Sequence, residues 1–387
     1  MSKQNEKALL PAGLQDVLFP AAAHEADVTE RLVHSFALAG YGRIKTPLLE
    51  FEKALLSGAG ESLSQQIFRL MDPVSHHMMG LRADITPQVA RVASTRLLNQ
   101  PRPLRLCYAG EVLQVRGSQL RPERQFRQVG AELIGATQAE ADAEVILQAV
   151  AALEGVGVKD LSVDINMPTL VSAVMAAEGI EGETAKSLRE ALDRKDAAEV
   201  AKLVDGSGRE LFLALLKTAG PAESILAYAE SLKLTGDARV ALDRVAQVVA
   251  LIRSVEPELS LTVDLVEHRG FEYHTGLSFI FFARSVRGEL GRGGRYDSVA
   301  ADETTESATG FTLYMDTVLR ALPQPKQPRR IYLPYGTRHE DGVALRAQGW
   351  VTITGLKAED DAREEARKQG CDRILVDGHV NEIGTEG

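Results

Sequence analysis

The chain has 387 residues, room for two or three domains at roughly 150 residues each. Apolar residues make up 44% and charged residues 25%, an ordinary globular balance that excludes a disordered, collagenous or disulfide-stapled chain. The net charge of −10 argues against sequence-independent nucleic-acid binding, which rests on excess Lys and Arg. Two cysteines, Cys107 and Cys371, form no CxxC pair, which argues against structural zinc and a disulfide framework. The N-terminal MSKQNEKALLPAG has no apolar stretch behind a basic start, so no secretory signal is expected. No apolar run approaches the ~18 residues of a membrane span. A reducing cytoplasm is the expected location.

Residues 21–40 place Val28, Leu32, Val33, Phe36 and Leu38 at helical spacing, and Gly40 follows where a helix end favours glycine. Residues 41–51 alternate like a strand that Pro47 breaks or confines to an edge. Gln88 to Leu98 reads as a helix following Thr86-Pro87, with proline at a tolerated first-turn position. Residues 104–115 and 125–135 read as an antiparallel hairpin around a polar, arginine-rich loop. A helix at 139–153 and a strand at 161–165 follow. From 168 to 255 nearly every residue is a helix former, with gaps at 179–182, 206–208 and 220–221, which reads as an all-helical insertion. Strand character returns at 260–266 and 277–283, joined by a polar turn segment. Residues 313–322 read as a helix, and Pro323, Pro325 and Pro328 mark a linker. The tail alternates strands at 331–336, 350–356 and 373–378 with a short helix and a charged helix at 359–369.

Several constellations could carry chemistry. Gln128 and Glu132 are four apart and share one strand face, with Gly130 leaving a hollow between them. They suit the floor of a polar pocket; a solvated sheet face is the blander reading. Asp84 and Thr86 precede a helix, and capping is the simpler role for Thr86 alone. Residues 267–276 pack Arg269, Tyr273 and His274 among glycines, as a ligand clamp or a surface loop would. Residues 291–297, GRGGRYD, match neither GxGxxG nor GxxxxGK[ST] and read as a flexible turn, beside a ligand or plain. The adjacent His76-His77 lacks ligand spacing, so no metal is assigned. Neither GxSxG nor a Cys/His pairing marks a nucleophilic enzyme.

In chain order, LPAGLQDVLFP, GYGRIKTPLLE, LRADITPQVAR, CYAGEVLQV…RQFRQVGAELIG, RGFEYHTG and GRGGRYD resemble the catalytic core of histidyl-tRNA synthetases. The last two segments are peculiar to the histidine enzymes among class II synthetases. The resemblance spans about residues 8–322. It implies an α+β fold: a class II synthetase-like antiparallel sheet core flanked by helices, with a helical insertion and a small C-terminal α/β domain. The corresponding division is 1–167 and 259–323 for the core, 168–258 for the insertion and 328–387 for the tail. By position, Asp84, Thr86 and Gln128 resemble the groups holding a histidine α-amino end, Arg269 the one facing its carboxylate and Glu132 the one reading its imidazole. Tyr273 and Tyr296 resemble pocket aromatics, and His274 stands where the synthetases have tyrosine. The chemistry suits a zwitterion, which needs an acid, a cation and a hydrogen-bonding floor.

The departures decide the expected function. Gln114 stands where the second class II motif has its phosphate-binding arginine, and Arg116 where a glutamate is usual. In the third motif, GFTLYMDTV puts Tyr314 at a glycine, Asp316 at a glutamate and Thr317 at an arginine. Each lost charge-assisted bond is worth roughly 1.5–3 kcal/mol, so adenylation should be crippled. A synthetase-like chain with an amino-acid pocket and no phosphate groups resembles the regulatory subunits of ATP phosphoribosyltransferase, from the first step of histidine biosynthesis. That resemblance implies no catalytic residues and no cofactor. It implies activation of a short catalytic subunit that condenses ATP with phosphoribosyl pyrophosphate, feedback inhibition by L-histidine, and a hetero-octamer built on class II-type homodimers. The rivals are a reduced-tail histidyl-tRNA synthetase that is still active, and a histidine sensor acting on RNA through Arg116, Arg121, Arg124 and Arg127.

Overall fold

A computed structural model describes residues 9–56, 63–117, 121–267, 274–299, 305–325 and 327–383. Its elements divide into two units after Pro323, within the proline-marked segment.

In the first unit, helix α1 (Ala21–Leu38) buries Val28, Leu32, Val33 and Phe36 along one stripe, and Gly40 takes the left-handed backbone past its end. Pro47 separates strand β1 (Gly42–Arg43) from β2 (Leu49–Phe51), which leads into a single turn, α2 (Glu52–Leu55). Strands β3 (Phe68–Met71) and β4 (Met78–Leu81) complete a small sheet of order β2-β4-β3. Helix α3 (Thr86–Thr95) follows, with Pro87 in its first turn. The hairpin forms as β5 (Leu104–Leu113) and β6 (Gln125–Ile134), and α4 (Ala139–Val156) and β7 (Leu161–Asn166) come next.

Between residues 168 and 255 lie α5 (Pro168–Ala177), α6 (Gly182–Asp193), α7 (Ala197–Leu203), α8 (Gly206–Leu215), α9 (Ala222–Glu230) and α10 (Gly236–Val255). The expected gap at 206–208 is instead the start of α8, and Gly220-Pro221 belongs to a short strand, β8 (Ala219–Pro221), paired with β9 (Ser260–Asp264). Leu170, Leu188, Val245 and Ile252 from these helices share one apolar cluster with Phe36 of α1 and Phe279, Phe281 and Phe311 of the sheet. Strand β10 (His274–Ala283) begins earlier than its apolar run, and β11 (Gly291–Val299), β12 (Thr305–Tyr314) and α11 (Met315–Ala321) close the unit.

Among the described residues the large sheet has nine strands in the order β1-β5-β6-β12-β11-β10-β7-β9-β8. From β5 to β7 every neighbouring pair is antiparallel; only the β1–β5 and β7–β9 pairs are parallel. One face carries the cluster with α1, α4 and α10. On the other, Val89 and Ala93 of α3 pack against Leu106, Tyr108, Ile134, Tyr296 and Ala308.

The second unit has a sheet of order β14-β13-β15-β16, from β13 (Arg330–Leu333), β14 (Val351–Thr354), β15 (Arg373–Val376) and β16 (His379–Glu382). Helices α12 (His339–Ala347) and α13 (Ala362–Lys368) cover opposite faces: Leu345 packs with Ile331 and Leu333, Ala366 with Tyr332 and Ile374. Helix α13 is shorter than the charged run because Asp361 caps it, accepting from the backbone N–H groups of Arg363 and Glu364. No helix among the described residues is long and apolar enough to cross a membrane.

Candidate functional site

Strand register builds a row across the sheet. Leu106, Glu132, Gly310, Gly294, Ser278 and Asn166 are direct partners on β5, β6, β12, β11, β10 and β7. Directly paired residues share a face, here the one under α3. The two glycines give other side chains room to lie on the sheet: a Cβ on Gly310 would overlap the Glu132 carboxylate, and one on Gly294 would overlap the His274 ring. This corrects the reading of GRGGRYD as a turn. It is strand β11, inside the sheet, and its glycines serve close approach rather than chain reversal.

Glu132 is fully buried and receives three hydroxyls. Thr86 Oγ1 and the Tyr108 hydroxyl reach its Oε1 at 3.2 and 3.3 Å, and the Tyr296 hydroxyl reaches Oε2 at 3.0 Å. Burial, reinforced by the Asp84 carboxylate, pushes its pKa up to about 8 against the pull of those hydroxyls. At neutral pH Glu132 is therefore mainly a neutral acid, able to donate one hydrogen bond as well as accept. Thr86, Glu132, His274, Arg292, Tyr296 and Thr312 line a small cleft with the glycine floor.

The other end of the site lies under the turn before α3. Gln128 is buried, and its Oε1 accepts from the Ile85 backbone N–H at 3.0 Å. Asp84 Oδ1 accepts from the Thr86 N–H at 3.2 Å, and burial raises its pKa. Thr86 does not cap the helix through its hydroxyl, which turns to Glu132 instead. The hollow expected at Gly130 is filled: the Tyr108 phenol lies there and bonds the Thr312 hydroxyl at 2.7 Å. Tyr108 and Thr312 are members of the Glu132 network that the sequence reading missed. The only signal was Tyr108's place two residues before Gly110 on the partner strand of Gly130. Arg269 and Tyr273 lie outside the described residues.

Gln114, Tyr314 and Thr317, expected at the phosphate-binding positions, are engaged within the chain. Gln114 donates to the Ala83 carbonyl at 3.4 Å, and Arg116 is exposed. Arg121 stacks over the Tyr314 ring at 3.5 Å and pairs with Asp316 at 3.4 Å and Glu289 at 3.6 Å. Thr317 is buried and its hydroxyl accepts from Arg320 at 3.1 Å. Arg124 donates to the carbonyls of Gln114 and Ala12, and Arg127 pairs with Glu111 and Glu25. Three of the four loop arginines thus have partners within the chain.

The histidyl-tRNA synthetase family model matches residues 13–318. An ATP phosphoribosyltransferase regulatory subunit of Paramagnetospirillum magneticum is 55% identical over 98% of this chain and 99% of that protein. One from Rhodospirillum centenum is 52% identical, over 97% of this chain and 96% of that protein. A crystal structure of an ATP phosphoribosyltransferase regulatory subunit/histidyl-tRNA synthetase from Bacillus halodurans C superposes with a TM-score of 0.80 at 26% identity, covering 93% of this chain and 96% of the other. With a class II synthetase-like sheet and a small polar cleft under α3, and with relatives this similar over nearly its whole length, the chain belongs to the family of ATP phosphoribosyltransferase regulatory subunits.

Proposed function

We propose that this chain is a non-catalytic, histidine-responsive regulatory subunit that activates a separate ATP phosphoribosyltransferase catalytic subunit in the first step of histidine biosynthesis. One contrast carries the reading. The amino-acid side of the site keeps its acids, amide and hydroxyls, while Gln114 and Thr317 offer no phosphate-binding charge and Arg121 is stacked on Tyr314.

In this reading Asp84, Thr86 and Gln128 hold the α-amino end of L-histidine. Arg269 faces its carboxylate, Glu132 reads its imidazole, and Tyr273, His274 and Tyr296 wall the ring. A neutral Glu132 donates to a bare ring nitrogen and, ionised, accepts from a ring N–H. Two copies join through the small β2-β4-β3 sheet, where Leu49, Phe51, Met71 and Met78 are exposed. Such dimers would build a hetero-octamer with the catalytic subunit in the cytoplasm, with residues 168–258 as an elaboration of the core.

The test mixes the chain with a short-form catalytic subunit and measures turnover with and without histidine, alongside histidine-dependent exchange of pyrophosphate into ATP by the chain alone. The expected outcome is activation that histidine reverses, and no exchange. Robust exchange would return the chain to a synthetase.

A further inference from the structure

The row that runs from Glu132 across Gly310 and Gly294 does not end at the cleft. Its next members, Ser278 and Asn166, are both fully buried. Ser278 Oγ and both Asn166 side-chain atoms, Oδ1 and Nδ2, have no hydrogen-bond partner among the described residues. Polar groups inside a fold are normally paired, and three unpaired atoms on two adjacent strands call for an explanation.

Local roles do not supply one. Asn166 stands two residues before α5, yet no side chain caps that helix. The two side chains are directly opposite each other on β7 and β10 and do not bond. The β10–β11 pairing is interrupted between His274 and Ser278, and such irregularities often sit beside sites, where they re-aim side chains. The cleft reaches Gly294, the direct partner of Ser278, and His274 lies on that glycine.

We propose that Ser278 and Asn166 form a further subsite of the effector site, beyond His274, that takes an uncharged hydrogen-bonding group with both a donor and an acceptor. The imidazole nitrogen that Glu132 does not read, an N–H donor in one tautomer and a bare acceptor in the other, is the group of L-histidine with that chemistry. A net charge does not suit the place: the two side chains are neutral and fully buried, and burying an unpaired ion is costly. The nearest ion in the row, Asp264 beside Asn166, has both carboxylate oxygens held at 2.8 Å by Lys195. This inference rests on the cleft being an amino-acid site.

The experiment titrates L-histidine calorimetrically into the full chain and into Asn166→Leu and Ser278→Ala, and melts all three. The expected result is a loss of tenfold or more in affinity for both variants with a melting temperature equal or higher, because an unpaired buried polar group has been removed. Affinity within twofold of the unmutated chain would mean that an ordered water alone satisfies these atoms, and would overturn the subsite. Should Asn166→Leu melt lower, Ser278→Ala, which removes a single oxygen, decides alone. A flat titration with the unmutated chain would sink the effector reading itself, and the subsite with it.

Discussion

The Tyr296 hydroxyl donates to Glu132 at 3.0 Å although the two residues stand on strands separated by β12. The phenol spans that gap because the intervening strand presents Gly310 and Ala308 to this face. A bulkier residue there would part the ring from the acid and fill the cleft.

Glu132 gives the fold a pH signature. Its carboxyl has a pKa of about 8 in the folded chain, against an ordinary value near 4.3 when unfolded. The folded state thus binds the extra proton, so this contribution to stability is fully present below the unfolded value and is lost as pH rises through about 8. For one proton the slope approaches ~1.4 kcal/mol per pH unit between the two values. Urea midpoints at pH 6 and pH 9 should differ more for the unmutated chain than for Glu132→Gln. Equal differences would show that Glu132 is ionised in the native protein.

Asp142 and Arg295 form a second buried anchor, on the opposite face of β11. The Asp142 carboxylate, fully buried on α4, pairs with Arg295 at 2.9 Å, and Arg244 of α10 approaches it at 3.5 Å. Arg295 also donates to the Ala136 carbonyl at 2.6 Å and the Ser307 hydroxyl at 2.7 Å. Asp142→Ala would leave a buried guanidinium without its counter-charge, and should cost about 3–5 kcal/mol in denaturant unfolding. A loss below about 1 kcal/mol would mean that the carbonyl and hydroxyl suffice to hold Arg295.

The small sheet makes a prediction about assembly. Phe51 and Met71 are 50% and 61% exposed, and Leu48 and Val74 are exposed nearby. Obligate homodimer interfaces are large and apolar. The unmutated chain should therefore sediment as a dimer at micromolar concentration, and Phe51→Asp with Met71→Asp should sediment as a monomer. A stable unmutated monomer would remove this face as the interface.

Local pattern was enough for much of this protein. The period of α1, the long hairpin and the shared face of Gln128 and Glu132 follow from side-chain geometry within a few residues, which any chain of that sequence obeys. The identities of Gln114, Tyr314 and Thr317, on which the proposed loss of phosphate binding rests, need no partner to be read. What only the tertiary structure decided is who meets whom. Tyr108 and Thr312 are 204 residues apart and bond because β5 and β12 flank β6. GRGGRYD reads as a turn in isolation, since glycine carries little strand preference. It becomes a strand because β10 and β12 pair with it on either side, and Gly294 then leaves space for His274 of β10. The same holds for Asn166 and Ser278, ordinary polar residues in sequence. Their common depth and lack of partners arise only once β7 and β10 are paired, because burial and hydrogen-bond supply are properties of the assembled sheet.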